Sequence, residues 1–327
     1  MKRVIITGGS GFIGTNLIEC YAKKGWKILN LDILAPRNIN QKKFWKKFDV
    51  CDTPSLKKIL NEFSPSLIFH LAARTDLDGS DLEAYRVNVD GVSSLIEAAK
   101  MSPSIKRIIF ASSMLVCKLG YNPVSDLDFC PVSFYGKSKV AGEKLVRRSI
   151  GNEFEWVIVR PTSIWGPWFS APYKNFFYAV SRGYYFHPKG LKTYRNYGFI
   201  LNVVFQLEKI GETLNSSDAN KKVFYLGDFE NLEIYDWSKL IAREFGVRAP
   251  LAVNVGFLRV LALIGDFLKF FGITRFPINS IRLSNLMTSS QFSMSPLETL
   301  IGPLPFSLHE GVRITVQWMR RFITKVS

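Results

Sequence analysis

Cysteine and histidine are scarce in this chain. Its 327 residues contain four cysteines, Cys20, Cys51, Cys117 and Cys130, with no CxxC pair, and three histidines, His70, His187 and His309. With no paired thiols and no histidine at ligand spacing, neither a disulfide scaffold nor a metal site is expected; reduced thiols in a cytoplasmic protein are. Acidic residues are also short, with 27 Asp and Glu against 43 Lys and Arg and a formal charge of +16. That balance draws anions: phosphorylated substrates, nucleic acid or anionic lipid. No repeat or low-complexity tract appears, and no long apolar run is unbroken. The most apolar stretch, residues 251–273, is interrupted by Arg259, Asp266 and Lys269, which argues against a transmembrane span. The chain enters the strand pattern RVIIT almost at once, so no leader peptide is expected.

What is present reads as globular, at 47% hydrophobic and 21% charged residues. Short apolar runs alternate with helical patterns: RVIIT, a helix over 12–24, WKILNLD, LIFHLAA, a helix over 81–100, RIIFASS, a helix over 134–148, and EWVIVRP. Strands alternating with helices imply right-handed βαβ units, hence an α/β fold with a doubly wound parallel sheet of Rossmann type. Residues 1–165 form the expected dinucleotide-binding part, with one later strand around 223–228. The looser, Pro-, Gly- and aromatic-rich region 166–327 is expected to cover the substrate. The densest cationic cluster, NQKKFWKKF at 40–48, reads first as a solvated face. Lysines beside Phe44 and Trp45 also suit a lipid surface. Specific nucleic-acid binding is not expected, because no recognition-helix, zinc-finger or RNP pattern accompanies the charge.

TGGSGFIG follows the first strand and opens the first helix. Missing Cβ atoms at Gly8, Gly11 and Gly14 let backbone N–H groups approach a diphosphate, and the helix N-terminus adds positive partial charge. Asp32 ends the second strand, placed to accept hydrogen bonds from both hydroxyls of an adenosine ribose. A carboxylate there repels a 2′-phosphate and so favours NAD; Arg37, five residues on, keeps NADP as the alternative. Further along, Tyr135 and Lys139 in YGKSK stand at i and i+4 on one helix face. A free phenol, with pKa near ~10, is a poor base at neutral pH. A neighbouring ammonium is expected to favour the phenolate. Ser113, ending the strand RIIFASS, can bind the same substrate oxygen.

These pieces, with DVCD at 49–52, HLAA at 70–73, NVDG at 88–91, RPTSIWGP at 160–167 and LHEGVRITVQW at 308–318, run in order along the whole chain. Together they resemble the extended short-chain dehydrogenase/reductases, the NAD-dependent epimerase/dehydratase family acting on nucleotide sugars. The resemblance implies a catalytic Ser113, Tyr135 and Lys139, with Lys139 also holding the nicotinamide ribose. It implies cofactor contacts from Gly8, Gly11, Phe12, Ile13, Gly14 and Asp32, from Asp49 and Val50 beside adenine, and from Leu71, Ala72, Ala73, Asn88 and Pro161. On the substrate side it points to Arg74, Thr75, Ser113 and, with Tyr194 beside it, Arg195; Arg282 is a candidate for the substrate diphosphate. It also implies a homodimer through the helices at 81–100 and 134–148.

Departures narrow the reaction. Met114 and Leu115 stand where sugar 4,6-dehydratases resemble one another in carrying Asp and Glu, and two apolar side chains cannot eliminate water. Cys117 replaces a common Tyr and reads as a packing residue. Tyrosine-assisted hydride transfer is left: 4-epimerisation first, then sugar ketoreduction or dehydrogenation, then a hydroxysteroid-type dehydrogenase. A non-catalytic NAD sensor is disfavoured by the retained Ser, Tyr and Lys. The sugar's carrier is a nucleotide or a polyprenyl diphosphate. On a helical wheel Phe257, Val260, Leu261, Ile264, Phe267, Leu268 and Phe271 share one face. That face is expected to pack on its own domain, or alternatively to lie in the plane of the inner membrane surface as a peripheral contact.

Overall fold

The computed structural model describes residues 1–272 and 278–323. The first half alternates β1 (Arg3–Thr7), α1 (Phe12–Lys23), β2 (Lys27–Asp32), β3 (Trp45–Lys47), α2 (Thr53–Phe63), β4 (Leu67–His70), α3 (Val87–Ala99), β5 (Arg107–Ala111), α4 (Phe134–Ser149) and β6 (Glu155–Pro161). Then come β7 (Ser163–Trp165), α5 (Tyr173–Ser181), β8 (Phe186–Pro188), β9 (Tyr194–Arg195), β10 (Tyr197–Phe199), α6 (Ile200–Glu208), α7 (Ser216–Ala219) and β11 (Lys222–Leu226). The remainder is β12 (Leu232–Glu233), α8 (Ile234–Phe245), β13 (Leu251–Val253), α9 (Val255–Phe270), α10 (Ser280–Met287), α11 (Ser295–Ile301) and α12 (Leu308–Ile323).

Seven strands make one parallel sheet in the order β11-β6-β5-β4-β1-β2-β3. Val4, Ile5 and Ile6 of β1 are all fully buried, because helices cover both faces of a parallel sheet. One face packs Ile5, Ile68 and Ile108 under α2, α3 and α4. The other packs Val4, Ile6, Phe69 and Ile109 under α1 and α6, and that core runs on through Trp165, Phe177, Phe199 and Trp237 to Val316 and Met319. The lysine cluster is split between a 3-10 helix over Ile39–Phe44, which carries Lys42 and Lys43, and edge strand β3, where Lys46 and Lys47 are exposed. Charged side chains on an unpaired edge discourage another strand from adding to it.

Two expectations need correction. The helix read over 81–100 begins only at Val87, after a separate 3-10 turn over Glu83–Tyr85. Asp81 Oδ1 accepts from Ala84 N–H (2.9 Å), while the Tyr85 hydroxyl accepts from Gly79 N–H and donates to Asp76 O, both at 2.9 Å. These bonds close a tight turn where the pattern alone suggested helix. The second correction concerns 251–273, of which 273 lies outside the described residues. Helix α9 packs through Leu258 and Ala262, against Leu283 of α10. Phe257, Val260, Ile264, Phe267 and Phe271, the core of the face expected to pack inward, are exposed. Among the described residues no helix is long and apolar enough to cross a membrane.

Candidate functional site

The sheet's strand ends place three loops side by side, and the glycines decide how close they come. Gly8 has φ +69°, and a Cβ on it would stand 2.6 Å from Ala72 N, so the loop after β1 lies directly on the loop after β4. A Cβ on Gly14 would stand 2.5 Å from Gly9 Cα, which lets the first turn of α1 close onto the loop. At Gly11 a Cβ would meet only Gly8 O, at 3.1 Å. The outer side of Gly11, at the N-cap of α1, is therefore a cradle that a larger residue would fill. It fits a diphosphate beside a helix N-terminus.

At the end of β2, Asp32 Oδ2 accepts from Ser10 N–H (3.0 Å) and Oδ1 from Leu34 N–H (2.9 Å). Both oxygens keep acceptor capacity for ribose hydroxyls. Arg37 Nη1 donates to Trp168 O (2.7 Å), so the cation that would welcome a 2′-phosphate is engaged elsewhere. Phe12 and Ile13 lie in the first turn of α1. Beyond β3, Val50 is buried and Asp49 exposed, accepting from Cys51 N–H.

The loop after β4 is fixed from two sides. Leu71 N–H donates to Thr7 O (3.0 Å) and Ala72 N–H to Thr7 Oγ1 (3.3 Å), leaving Ala73 next in line. His70 Nδ1 shares a 2.9 Å bond with Thr7 Oγ1; burial pushes its pKa down to about 3, so it is a neutral structural group. Asn88, on α3, accepts from Arg74 N–H (2.8 Å), donates to Arg74 O (3.0 Å) and donates to Ser138 Oγ on α4 (2.9 Å). Ser138 Oγ in turn donates to Tyr135 O (2.7 Å). One asparagine thus ties the proposed cofactor loop to the helix carrying the tyrosine.

Tyr135, Ser113 and Lys139 converge at the ends of β5 and α4. Ser113 stands by the Tyr135 phenol and favours its ionised form, while its hydroxyl oxygen accepts from Leu115 N–H (3.1 Å). Lys139 Nζ donates to Ala111 O (2.9 Å) and lies 5.9 Å from the Tyr135 ring centroid. Burial pushes Lys139 down to about 8, against the attraction of Glu143. The phenol departs from expectation: burial raises its pKa, and the group that opposes this is Ser113. Sequence reading missed why Ser113 reaches Tyr135. The 3-10 turn Met114–Val116 lies against Gly136, where a Cβ would collide with Leu115 O. Gly136→Ala is therefore expected to push Ser113 off the phenol and lower kcat about tenfold or more, leaving NAD affinity unchanged in a fluorescence titration. The glycine was visible within YGKSK, but its reason is a carbonyl 21 residues away in sequence.

The other substrate-side residues are dispersed. Arg74 is turned to Asp76 (2.9 Å) and Ala84 O (3.1 Å), over the Tyr85 ring, and Thr75 is exposed. Arg195 donates to Asn285 O and to Thr288 O (3.0 Å), capping the C-terminus of α10 instead of facing the tyrosine. Arg282 is exposed in the first turn of α10. Pro161 ends β6, and Tyr173 bonds Ser163 just beyond it. Tyr85, whose ring centroid is 6.1 Å from that of Tyr135, is a site neighbour that no motif announced.

Residues 4–184 match a family model described as the NAD dependent epimerase/dehydratase family. The chain is 26% identical to an N-acetyl-alpha-D-glucosaminyl-diphospho-ditrans,octacis-undecaprenol 4-epimerase of Escherichia coli O157:H7, over 96% of this chain and 94% of that protein. It is 24% identical to a 3-beta-hydroxysteroid dehydrogenase of Mycolicibacterium neoaurum, over 93% and 87%. In fold it is similar to a UDP-glucose 4-epimerase of Thermotoga maritima crystallised with UDP-glucose, with a TM-score of 0.75 at 18% identity, covering 98% of this chain and 99% of that one.

Proposed function

Because the chain belongs to the NAD-dependent epimerase/dehydratase family, we propose that it is a 4-epimerase of a sugar carried on a diphosphate, the carrier being a nucleotide or a polyprenyl chain. The observation that carries this reading is the convergence of the Tyr135 phenol, the Ser113 hydroxyl and the Lys139 ammonium beside a glycine cradle ending in Asp32. Tyr135 takes the proton from the sugar O4 and later returns it. Ser113 holds that oxygen in line, and Lys139 supplies positive charge to the phenolate. NAD, when bound, would supply a reversible two-electron hydride acceptor for C4. Gly8, Gly11, Gly14, Phe12 and Ile13 would hold its diphosphate, Asp32 its adenosine ribose, and Leu71 to Ala73 with Asn88 the wall of its pocket. Met114 and Leu115 offer neither acid nor base, so the keto sugar is not dehydrated.

Residues 166–327 supply the substrate side in this reading, with Arg282 the arginine proposed for the diphosphate. The working unit is proposed to be a cytoplasmic homodimer joined through α3 and α4. The test is to incubate the enzyme and NAD with UDP-sugars and with polyprenyl-diphosphate sugars. The C4 epimer is expected without net NADH. Stoichiometric NADH accumulation would overturn epimerisation in favour of dehydrogenation, the second reading supported by the hydroxysteroid dehydrogenase similarity.

A further inference from the structure

The exposed side of α9 is out of keeping with a helix surrounded only by water. Phe257, Val260, Ile264, Phe267 and Phe271 recur at intervals of three and four, and each is 45–64% exposed. Leu263, 64% exposed, widens the same stripe. The helix meets its own domain on another side, through Leu258, Ala262 and the buried Gly265. An apolar stripe of this length rarely stays bare on a soluble protein.

Neighbouring segments extend it. Strand β13 leads into α9 and pairs in parallel with β8, Leu251 opposite Phe186. Both side chains are exposed, as is Tyr184 just before β8. Two of the segments that build this surface are poor in acid, and the adjoining α8, whose Tyr235 donates to Pro250 O, has its Asp236 paired with Lys239. From 161 to 207 there are five Lys and Arg and no acid; from 246 to 297 there are five more and a single acid, Asp266. The Asp266 carboxylate is occupied by Ser280 N–H, at 3.3 Å from each oxygen. Arg182, Lys189, Lys192, Arg248 and Arg259 are all exposed, and Lys189 N–H is bonded to Val253 O at the entry to α9 (2.8 Å).

We propose that this surface is a membrane-docking face, with α9 lying in the plane of an anionic phospholipid leaflet. The stripe enters the acyl boundary while the surrounding lysines and arginines meet the lipid phosphates. The occupant is lipid rather than an acidic protein or nucleic acid because the centre of the patch is aliphatic and aromatic and only its margin is cationic. At 16 residues α9 rests on a membrane and does not cross it. This docking is independent of which sugar the enzyme turns over.

The experiment is co-sedimentation of the full chain, without sugar or NAD, with vesicles of phosphatidylcholine alone and of an equimolar mixture with phosphatidylglycerol. Wild type is expected to pellet with the anionic vesicles and to lose that preference in high salt. Joint Val260→Gln, Ile264→Gln and Phe267→Gln is expected to weaken binding on the order of a hundredfold, with thermal unfolding and turnover of a water-soluble sugar nucleotide unchanged. Lys189→Glu with Lys192→Glu is expected to remove only the preference for phosphatidylglycerol. Wild type staying in the supernatant at low salt, or the stripe variant binding as wild type does, overturns the proposal. So does a stripe variant that turns a lipid-indifferent dimer into a monomer, which would assign the face to a second copy. Vesicle binding and turnover are read separately, so failure of one leaves the other standing.

Discussion

Tyr135→Phe is expected to lower turnover by about 10²- to 10⁴-fold while NAD binds as before. Phenylalanine keeps the ring that packs beside Tyr85 and under Lys139 and removes only the hydroxyl, on which Ser113 acts. In the proposed mechanism, what is lost is the group that moves the O4 proton. A fluorescence titration with NAD and a progress curve for the C4 epimer read the two effects separately. Residual turnover near wild type would remove Tyr135 from the mechanism. The pH profile carries a sign of its own. Lys139, pushed down to about 8 by burial, is charged below that pH and neutral above it. Its support for the phenolate is thus present below about pH 8 and fades as pH rises through that value. Lys139→Met is expected to abolish that fall along with most of the activity.

Arg160→Met is expected to destabilise the protein by about 3–5 kcal/mol, read as a lower urea midpoint. Arg160 is fully buried at the end of β6, and Glu143 on α4 is 2% exposed. Arg160 Nε and Nη2 donate to the two Glu143 oxygens at 2.9 and 2.8 Å, and the same guanidinium reaches Tyr225 Oη (3.1 Å) and Asp126 O (2.6 Å). Methionine fills much of the volume but leaves the buried Glu143 carboxylate with only Arg147, at 3.9 Å, as a cationic partner, which is the costly half of a broken pair. Replacing both, Arg160→Met with Glu143→Met, is expected to recover a large part of the loss. If the single variant unfolds at the wild-type midpoint, water reaches Glu143 and the pair is less dry than its burial implies.

The sheet and the glycine loop were legible because their causes are local. β-Branched runs such as RVIIT bury on both faces, and the glycines announce close approach by their spacing. The tyrosine, lysine and serine were legible for a similar reason: i, i+4 spacing on one helix and the end of one strand. Long-range partners were not. Arg195 was read as a substrate-side residue, but its partners are backbone carbonyls about 90 residues on, which no motif records. Gly136 sits inside a quoted motif, yet its role depends on where Leu115 O falls. For α9 the helical wheel identified the apolar residues but not which of them would have a neighbour. The fold uses the side with Leu258 and Ala262, which pack against Leu283 of α10.

The core on the α1 side of the sheet ignores the boundary near residue 165. Val4 and Ile6 share it with Trp237, Val316 and Met319. Cutting the chain there would bare Trp165, Phe177 and Phe199 on one piece or the other, so neither half is a transferable cassette. Specificity for a new sugar cannot be imported by splicing in another protein's second half. It has to arise by substitution at the rim, in side chains that line the site without belonging to the shared interior.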